Sequence, residues 1–341
     1  MDTPVLFSVA PDYYRSAVAE LRRTLPVAKI QRVGEDAGIV YLGSGGQETA
    51  VEASMACDLR FVRHLAGVDA VVNTSELNRL DAEEVADWAA DAVLDRLDAG
   101  DEVSLHVWDS GDVSWAPGKI RRPLLEVLLD NGIRVVTSNS EQTVSVCVGE
   151  ERTTVGLSPS GLGLCDWAGG RIRLANRKEQ VSRAEFKLEE LFGFIGPPSG
   201  KVAIDLGASP GGWTRILRSH GFERVYSVDP ADLDPRILAD DEVHHHRTTA
   251  GEFIAAYKDS PVDMIVNDMR MVPHMTAITM VDAADILRPG GQVVVTFKLG
   301  TTNPVKQADE SLETLAEAYE PTFIRQLQHN RHELTVVATR R

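Results

Sequence analysis

From residue 182 onward, four short runs dense in apolar and β-branched residues, 202–206, 224–228, 262–266 and 292–297, alternate with helix-length stretches at 213–219, 275–287 and 306–319. No other pattern in the chain restricts the fold as strongly. Strands separated by helices cannot pair through tight hairpins. They pair in parallel, with the helices laid on both faces of the sheet. Residues 182–341 are therefore read as one α/β domain with a Rossmann-like, mostly parallel sheet, closed by a strand at 333–338 that follows the last helix.

The preceding residues lack this regularity. Residues 1–65 read as a small α+β unit, with strands near 5–9 and 38–42 and a helix near 13–25. A second unit spans 66–165. In it, residues 82–98 place Val85, Trp88, Ala89, Ala92, Val93 and Leu97 on one helical face before a stop at Gly100. Strands follow near 105–108, 133–137, 143–148 and 152–157, with a helix at 124–129, and no catalytic constellation accompanies them. Residues 166–181, with Gly169 and Gly170, read as a linker.

The most informative local segment is 202–213, where a buried strand containing Asp205 and Leu206 runs through Gly207, Ser209, Pro210, Gly211 and Gly212 into a helix at Trp213. In an open α/β sheet, ligands bind beyond the carboxyl ends of the strands, and free N–H groups at a helix start face them. A dinucleotide fingerprint needs a second glycine where Ser209 stands, and Pro210 removes a phosphate donor. The turn therefore suits a nucleoside ligand without a pyrophosphate, such as S-adenosylmethionine, better than NAD. Asp229 ends the next strand, where an acid can accept from two ribose hydroxyls.

Four charged residues stand where chemistry is expected: Lys187 on a helix opened by the capping-box pattern Ser182 to Glu185, Asp268 after the strand at 262–266, Lys298 after 292–297, and Glu333 opening the last strand. In order and local context they resemble the Lys-Asp-Lys-Glu signature of the FtsJ-like ribose 2′-O-methyltransferases. Segments 182–190, 205–213 and 329–336 are similar to the branch of that family that methylates a cytidine of 23S ribosomal RNA. The resemblance covers 171–341 well. It implies an S-adenosylmethionine-dependent enzyme whose last strand is antiparallel. It also implies a ferredoxin-like unit over 1–65 and a THUMP-like RNA-binding domain over 66–165, although no short motif marks either.

By that resemblance, Lys298 accepts the proton of the ribose hydroxyl, while Lys187 and Glu333 position it and the substrate. Ser182, Ser209, Pro210, Gly211, Gly212, Asp229, Thr249 and Asp268 line the cofactor by the same resemblance; Asp205 and Gly207 are cofactor-binding candidates from their place in the strand and turn, and Trp213 either packs beneath the cofactor or anchors the helix. Thr249 stands where the family carries an acid for the adenine amino group, and a hydroxyl accepts more weakly than a carboxylate. Two rival functions remain at this stage. A base-directed RNA methyltransferase would want Asn/Asp-Pro-Pro-Tyr after the fourth strand, where this chain reads Asn267, Asp268, Met269 and Arg270. An assembly protein with a catalytically dead fold would have no need to keep all four charged residues.

Charge argues against a nucleic-acid partner at first sight. The net is −16 for the chain, and residues 1–150 carry 13 Lys+Arg against 25 Asp+Glu. Residues 171–187 nonetheless hold six basic residues and two acids, and a local basic stripe can grip phosphates within an acidic protein. Arg171, Arg173, Arg177, Lys178 and Arg183 are candidate RNA contacts there, with Lys119, Arg121 and Arg122 as a second patch. Cys57, Cys147 and Cys165 are far apart and are expected to be reduced and buried. His244, His245 and His246 alternate in direction on a strand, so no metal is expected. No apolar run reaches membrane-spanning length, and the start Met1-Asp2-Thr3-Pro4 lacks a secretory pattern. A monomeric cytoplasmic protein is expected.

Overall fold

A computed structural model describes residues 3–300 and 302–341, and the chain divides into two compact units, Met1–Ile172 and Arg173–Arg341. Met1 and Asp2, part of the start read above, lie outside the described residues.

In the first unit, β1 (Thr3–Ser8), β2 (Val27–Arg32), β3 (Ala37–Leu42) and β4 (His64–Gly67) form a sheet in the order β2-β3-β1-β4, accompanied by α1 (Tyr14–Thr24) and α2 (Gln47–Met55). A five-stranded sheet follows, built from β5 (Ala70–Asn73), β6 (Glu102–Ser110), β7 (Arg134–Val136), β8 (Gln142–Gly149) and β9 (Arg152–Pro159) in the order β5-β9-β8-β6-β7. Helices α3 (Thr74–Leu77), α4 (Ala82–Leu94) and α5 (Pro117–Asp130) belong to this part. Val85, Ala89 and Val93 of α4 and Ile120, Leu124 and Leu128 of α5 pack on Leu105, Val144 and Val146, and this apolar layer holds the five-stranded part together.

Several expectations for this unit need correction. α5 begins at Pro117, seven residues before the helix read at 124–129, so Lys119, Arg121 and Arg122 ride exposed on its first two turns. The start of the supposed linker is folded into the unit. Ser8 Oγ donates to Gly169 O at 2.7 Å, and the Arg171 guanidinium reaches Asp109 at 2.5 Å and Asp36 at 3.0 Å. Of the three free cysteines only Cys147 is buried; Cys57 and Cys165 are half-buried.

The second unit is a seven-stranded sheet in the order β12-β11-β10-β13-β14-β16-β15, made by β10 (Val202–Leu206), β11 (Arg224–Val228), β12 (Val243–His246), β13 (Val262–Asn267), β14 (Leu287–Lys298), β15 (Tyr319–Arg325) and β16 (Glu333–Arg340). The first five are parallel, and β16 lies antiparallel between β14 and β15. The helices are α6 (Glu185–Ile195), α7 (Gly212–Ser219), α8 (Pro235–Leu238), α9 (Ala250–Ala256), α10 (Pro273–Asp282) and α11 (Pro304–Leu315). Leu188, Leu191, Ile216, Leu217, Val225 and Val294 form the core between helices and sheet, each at most 1% exposed.

The helix expected to reach residue 319 stops at Leu315, and Tyr319–Arg325 is a strand that had no place in the sequence reading. Pro321 hides it. β15 lies at the sheet edge, where a proline is tolerated, and its register shifts between Pro321 and Phe323. No described helix is long and apolar enough to cross a membrane.

Candidate active site

The sheet order sets the location. From β10 the chain crosses to β11 on one side and later returns to β13 on the other, so a crevice opens beyond the carboxyl ends of β10 and β13. Asp229 follows β11, Asp268 follows β13 and Lys298 ends β14, all at that edge. β16 runs the other way, so its first residue is the one brought there: Glu333 stands in register with Lys298.

Lys187 reaches the same place from the first turn of α6. Its Nζ donates to Asp268 Oδ1 and Oδ2, both at 3.0 Å, and lies 2.7 Å from Glu333 Oε1. Lys298 Nζ bonds to Asp268 Oδ1 and Glu333 Oε2. Two ammonium groups and two carboxylates thus alternate in a closed ring. Side-chain exposure runs from 8% for Glu333 through 12% for Lys187 and 14% for Asp268 to 22% for Lys298, so Lys298 is the member most open to a substrate. Burial alone would make the Lys187 ammonium easier to deprotonate, but Asp268 and Glu333 outweigh it and raise its pKa. Burial pushes Asp268 up; Lys298 and Lys187 overcome this and hold its carboxyl below the usual aspartate value.

Two residues that the sequence reading did not assign to the site support the ring. Thr296 Oγ1 donates to Asp268 Oδ1 at 2.7 Å, and strand alternation, which puts Thr296 on the face of Lys298, was a signal that could have found it. Asn267 is fully buried and accepts from Met269 N at 2.9 Å, fixing the turn that carries Asp268. Glu190 on α6 secures the segment before Glu333 by accepting from the backbone of Gln328 at 2.7 Å and His329 at 2.8 Å.

The glycine turn lies one strand away. Asp229 Oδ2 accepts from Ser209 N at 3.1 Å and Oδ1 from Ala231 N at 2.8 Å, which leaves its remaining lone pairs for ribose hydroxyls. Gly207 adopts φ +78°, and Ser209 and Pro210 are partly or fully open to solvent. Gly211 and Gly212 are closed over by protein: a Cβ at Gly211 would meet Ile237 at 2.8 Å, and one at Gly212 would meet Ser182 Oγ at 2.2 Å. These two glycines therefore admit neighbouring side chains, where the sequence suggested a ligand. Ser182 Oγ is buried there with no hydrogen-bond partner, an orphaned acceptor that fits a polar ligand atom. The capping box at Ser182 is only half made, through Ser182 N to Glu185 Oε1 at 3.4 Å.

Three expected cofactor contacts sit differently. Asp205 is 1% exposed, and its carboxylate accepts from Thr214 Oγ1 at 2.7 Å beneath the turn. The Trp213 indole is buried between α6 and α7, with Nε1 donating to Ala184 O at 2.8 Å. Thr249 is exposed and caps α9, its Oγ1 donating to Glu252 at 2.8 Å.

Of the basic stripe, Arg171 is spent on Asp36 and Asp109, and Arg177 pairs with Glu189 at 2.9 Å. Arg173, Lys178 and Arg183 are exposed. His244 and His246 flank Tyr226, with ring centroids at 5.6 and 5.7 Å, while His245 turns to Asp229 O at 3.1 Å. Among the described residues no group of three or more His, Cys, Asp or Glu could hold a metal ion.

Residues 180–314, which include Lys187, Asp268 and Lys298, match the family described as FtsJ-like methyltransferase. The chain is 28% identical to a ribosomal RNA large subunit methyltransferase M of Laribacter hongkongensis, over all of this chain and 98% of that one. A protein of the same name from Halorhodospira halophila is 32% identical over 51% of each chain. A ribosomal RNA large subunit methyltransferase E of Acidiphilium cryptum is 37% identical over 34% of this chain and 52% of that one.

Proposed function

Because residues 180–314 form a domain of the FtsJ-like methyltransferase family, we propose that this chain transfers a methyl group from S-adenosylmethionine to a ribose 2′-hydroxyl of RNA, and that the acceptor is a cytidine of 23S ribosomal RNA. The likeness to methyltransferase M relatives over the whole chain supports the ribosomal substrate. The observation that carries the reading is the closed ring of Lys187, Asp268, Lys298 and Glu333 at the crevice edge. In the same reading, residues 66–165 are a THUMP-like RNA-binding domain, 1–65 a ferredoxin-like unit, and the protein a cytoplasmic monomer.

A ribose hydroxyl is a poor nucleophile, so its proton must leave as the oxygen attacks. Bound S-adenosylmethionine supplies a sulfonium methyl for that oxygen. Lys298 Nζ, the most exposed member of the ring, takes the proton once it has given up one of its own to solvent, so that its nitrogen has a free lone pair. Lys187 stays charged, because Asp268 and Glu333 raise its pKa, and it offsets the carboxylates throughout. Asp229 and Ser182 Oγ orient the cofactor, and the ring holds Lys298 aimed at the reacting oxygen. A base-directed reaction is disfavoured by Asn267, whose fully buried amide cannot reach out to a base.

The test maps 2′-O-methyl groups on total RNA from cells with the protein, without it, and with only Lys298→Ala. One cytidine of 23S RNA should lose its methyl in the last two, while the purified variant still binds S-adenosylmethionine. A methyl that persists, or one lost from a base, would refute the proposal.

A further inference from the structure

A cavity of about 380 Å³ opens on the β12 side of β10, whereas the charged ring lies on the β13 side. Arg215 and Arg218 on α7, Arg236 and Ile237 on α8, and Val243 at the start of β12 line it, together with Lys178. Nothing in the proposed reaction uses it.

The three guanidinium groups already have partners. Arg215 Nε donates to Glu185 at 3.0 Å, Arg218 Nε to Asp240 at 2.8 Å, and Arg236 pairs with Asp234 at 2.7 Å. Their charge is offset, so a small anion would have to compete with three carboxylates. What they offer is flat faces, held in orientation by those bonds, beside the aliphatic surface of Ile237 and Val243. Guanidinium planes and apolar walls suit a flat aromatic heterocycle, as in the splayed bases of single-stranded RNA. Lys178 is exposed and makes no ion pair among the described residues, so it can meet a phosphate attached to that heterocycle. Exposed Arg173 and Arg183 lie close to it in sequence and can extend the path for a strand.

We propose that this cavity holds one nucleobase flipped out of the RNA substrate, with its phosphate on Lys178, as a docking point separate from the reacting ribose. The inference rests on the RNA reading above. Two variants of the full chain test it. Val243→Trp fills the cavity, and Arg236→Ala removes one flat face at an exposed position. The probes are a single-stranded RNA containing 4-thiouridine and, separately, cytidine 5′-monophosphate.

Near-ultraviolet light should crosslink the RNA to peptides covering 214–218 or 236–243. RNA affinity should weaken about tenfold in Val243→Trp and about threefold in Arg236→Ala, since stacking of one base is of that size. S-adenosylmethionine affinity should not change. Should Val243→Trp fail to fold, Arg236→Ala and the crosslink site decide. RNA affinity within twofold of wild type, with no crosslink in those peptides, overturns the proposal. Monophosphate binding lost in Val243→Trp with RNA affinity intact overturns the RNA assignment and leaves a free-nucleotide site. A crosslink in the cavity of a protein that methylates no RNA ribose would sink the proposed reaction and spare the cavity.

Discussion

Asp205 on β10 and Asp268 just beyond β13 sit on neighbouring parallel strands, two residues apart in register, and both are largely buried. Their carboxyl groups are driven in opposite directions. Burial lifts Asp205 to about 7, with only the Thr214 hydrogen bonds pulling back and the Asp268 charge adding to the rise. Burial acts on Asp268 too, but Lys298 and Lys187 more than offset it. The difference lies in the partners: hydrogen bonds donated by Thr214 offset the burial of Asp205 only in part, while two ammonium groups more than offset the burial of Asp268. One carboxyl is thus suited to structure beneath the glycine turn, and the other to holding charge at the reaction edge.

The sharpest attack on this contrast is Asp268→Asn, which keeps the shape but strips the negative charge from both lysines. Methyl transfer should fall by about 100-fold or more; single-turnover assays showing less than a tenfold loss would mean the ring's charge is incidental. Lys187→Arg should cost only about tenfold, and its pH–rate profile should keep the wild-type shape, because Lys187 is charged in both proteins. Complete loss of transfer would instead make Lys187 the proton acceptor.

Asp205→Asn probes the other side of the contrast through stability. The folded state keeps a proton on Asp205 up to about pH 7, whereas the unfolded chain loses it near 3.8. Stability from this group therefore falls as pH rises through that window. The variant removes that slope, so its melting temperature relative to wild type should climb from pH 4 to pH 7, by on the order of a few kcal/mol in stability. Asp268 has the opposite sign, and its contribution is lost as pH falls below the ordinary aspartate range. A difference that stays flat with pH would show Asp205 to be ionised in the fold. The smallest effect belongs to Trp213→Phe, which loses the bond to Ala184 O and should cost about 1 kcal/mol, with cofactor affinity unchanged in calorimetry.

The parallel sheet and the ring were legible because both write themselves into local pattern. Apolar runs of strand length end in Asp268 and Lys298, and charges placed there meet at one edge once the strands are parallel. Whatever depended on distant partners was hidden. β15 carries Glu320 and Pro321, so its apolar content is too thin to read; it is a strand because its backbone pairs with the distant β16, and the Tyr319 hydroxyl anchors its start to Met280 O at 2.7 Å. Arg171 looked like a free cation in a basic stripe, but its acids lie 62 and 135 residues away in sequence. Asp205 and Trp213 were assigned to the cofactor by their neighbours along the chain, and the helix packing that buries them is invisible to that logic.

The reversed direction of β16 has a consequence for synthesis. A nascent chain that has emerged through Lys298 already holds the cofactor turn and three members of the ring, but Lys298 lacks its second carboxylate until β16 slots between β14 and β15. The four-membered ring therefore closes only after the last strand has been made, so it is among the final features of the second unit to form on the ribosome.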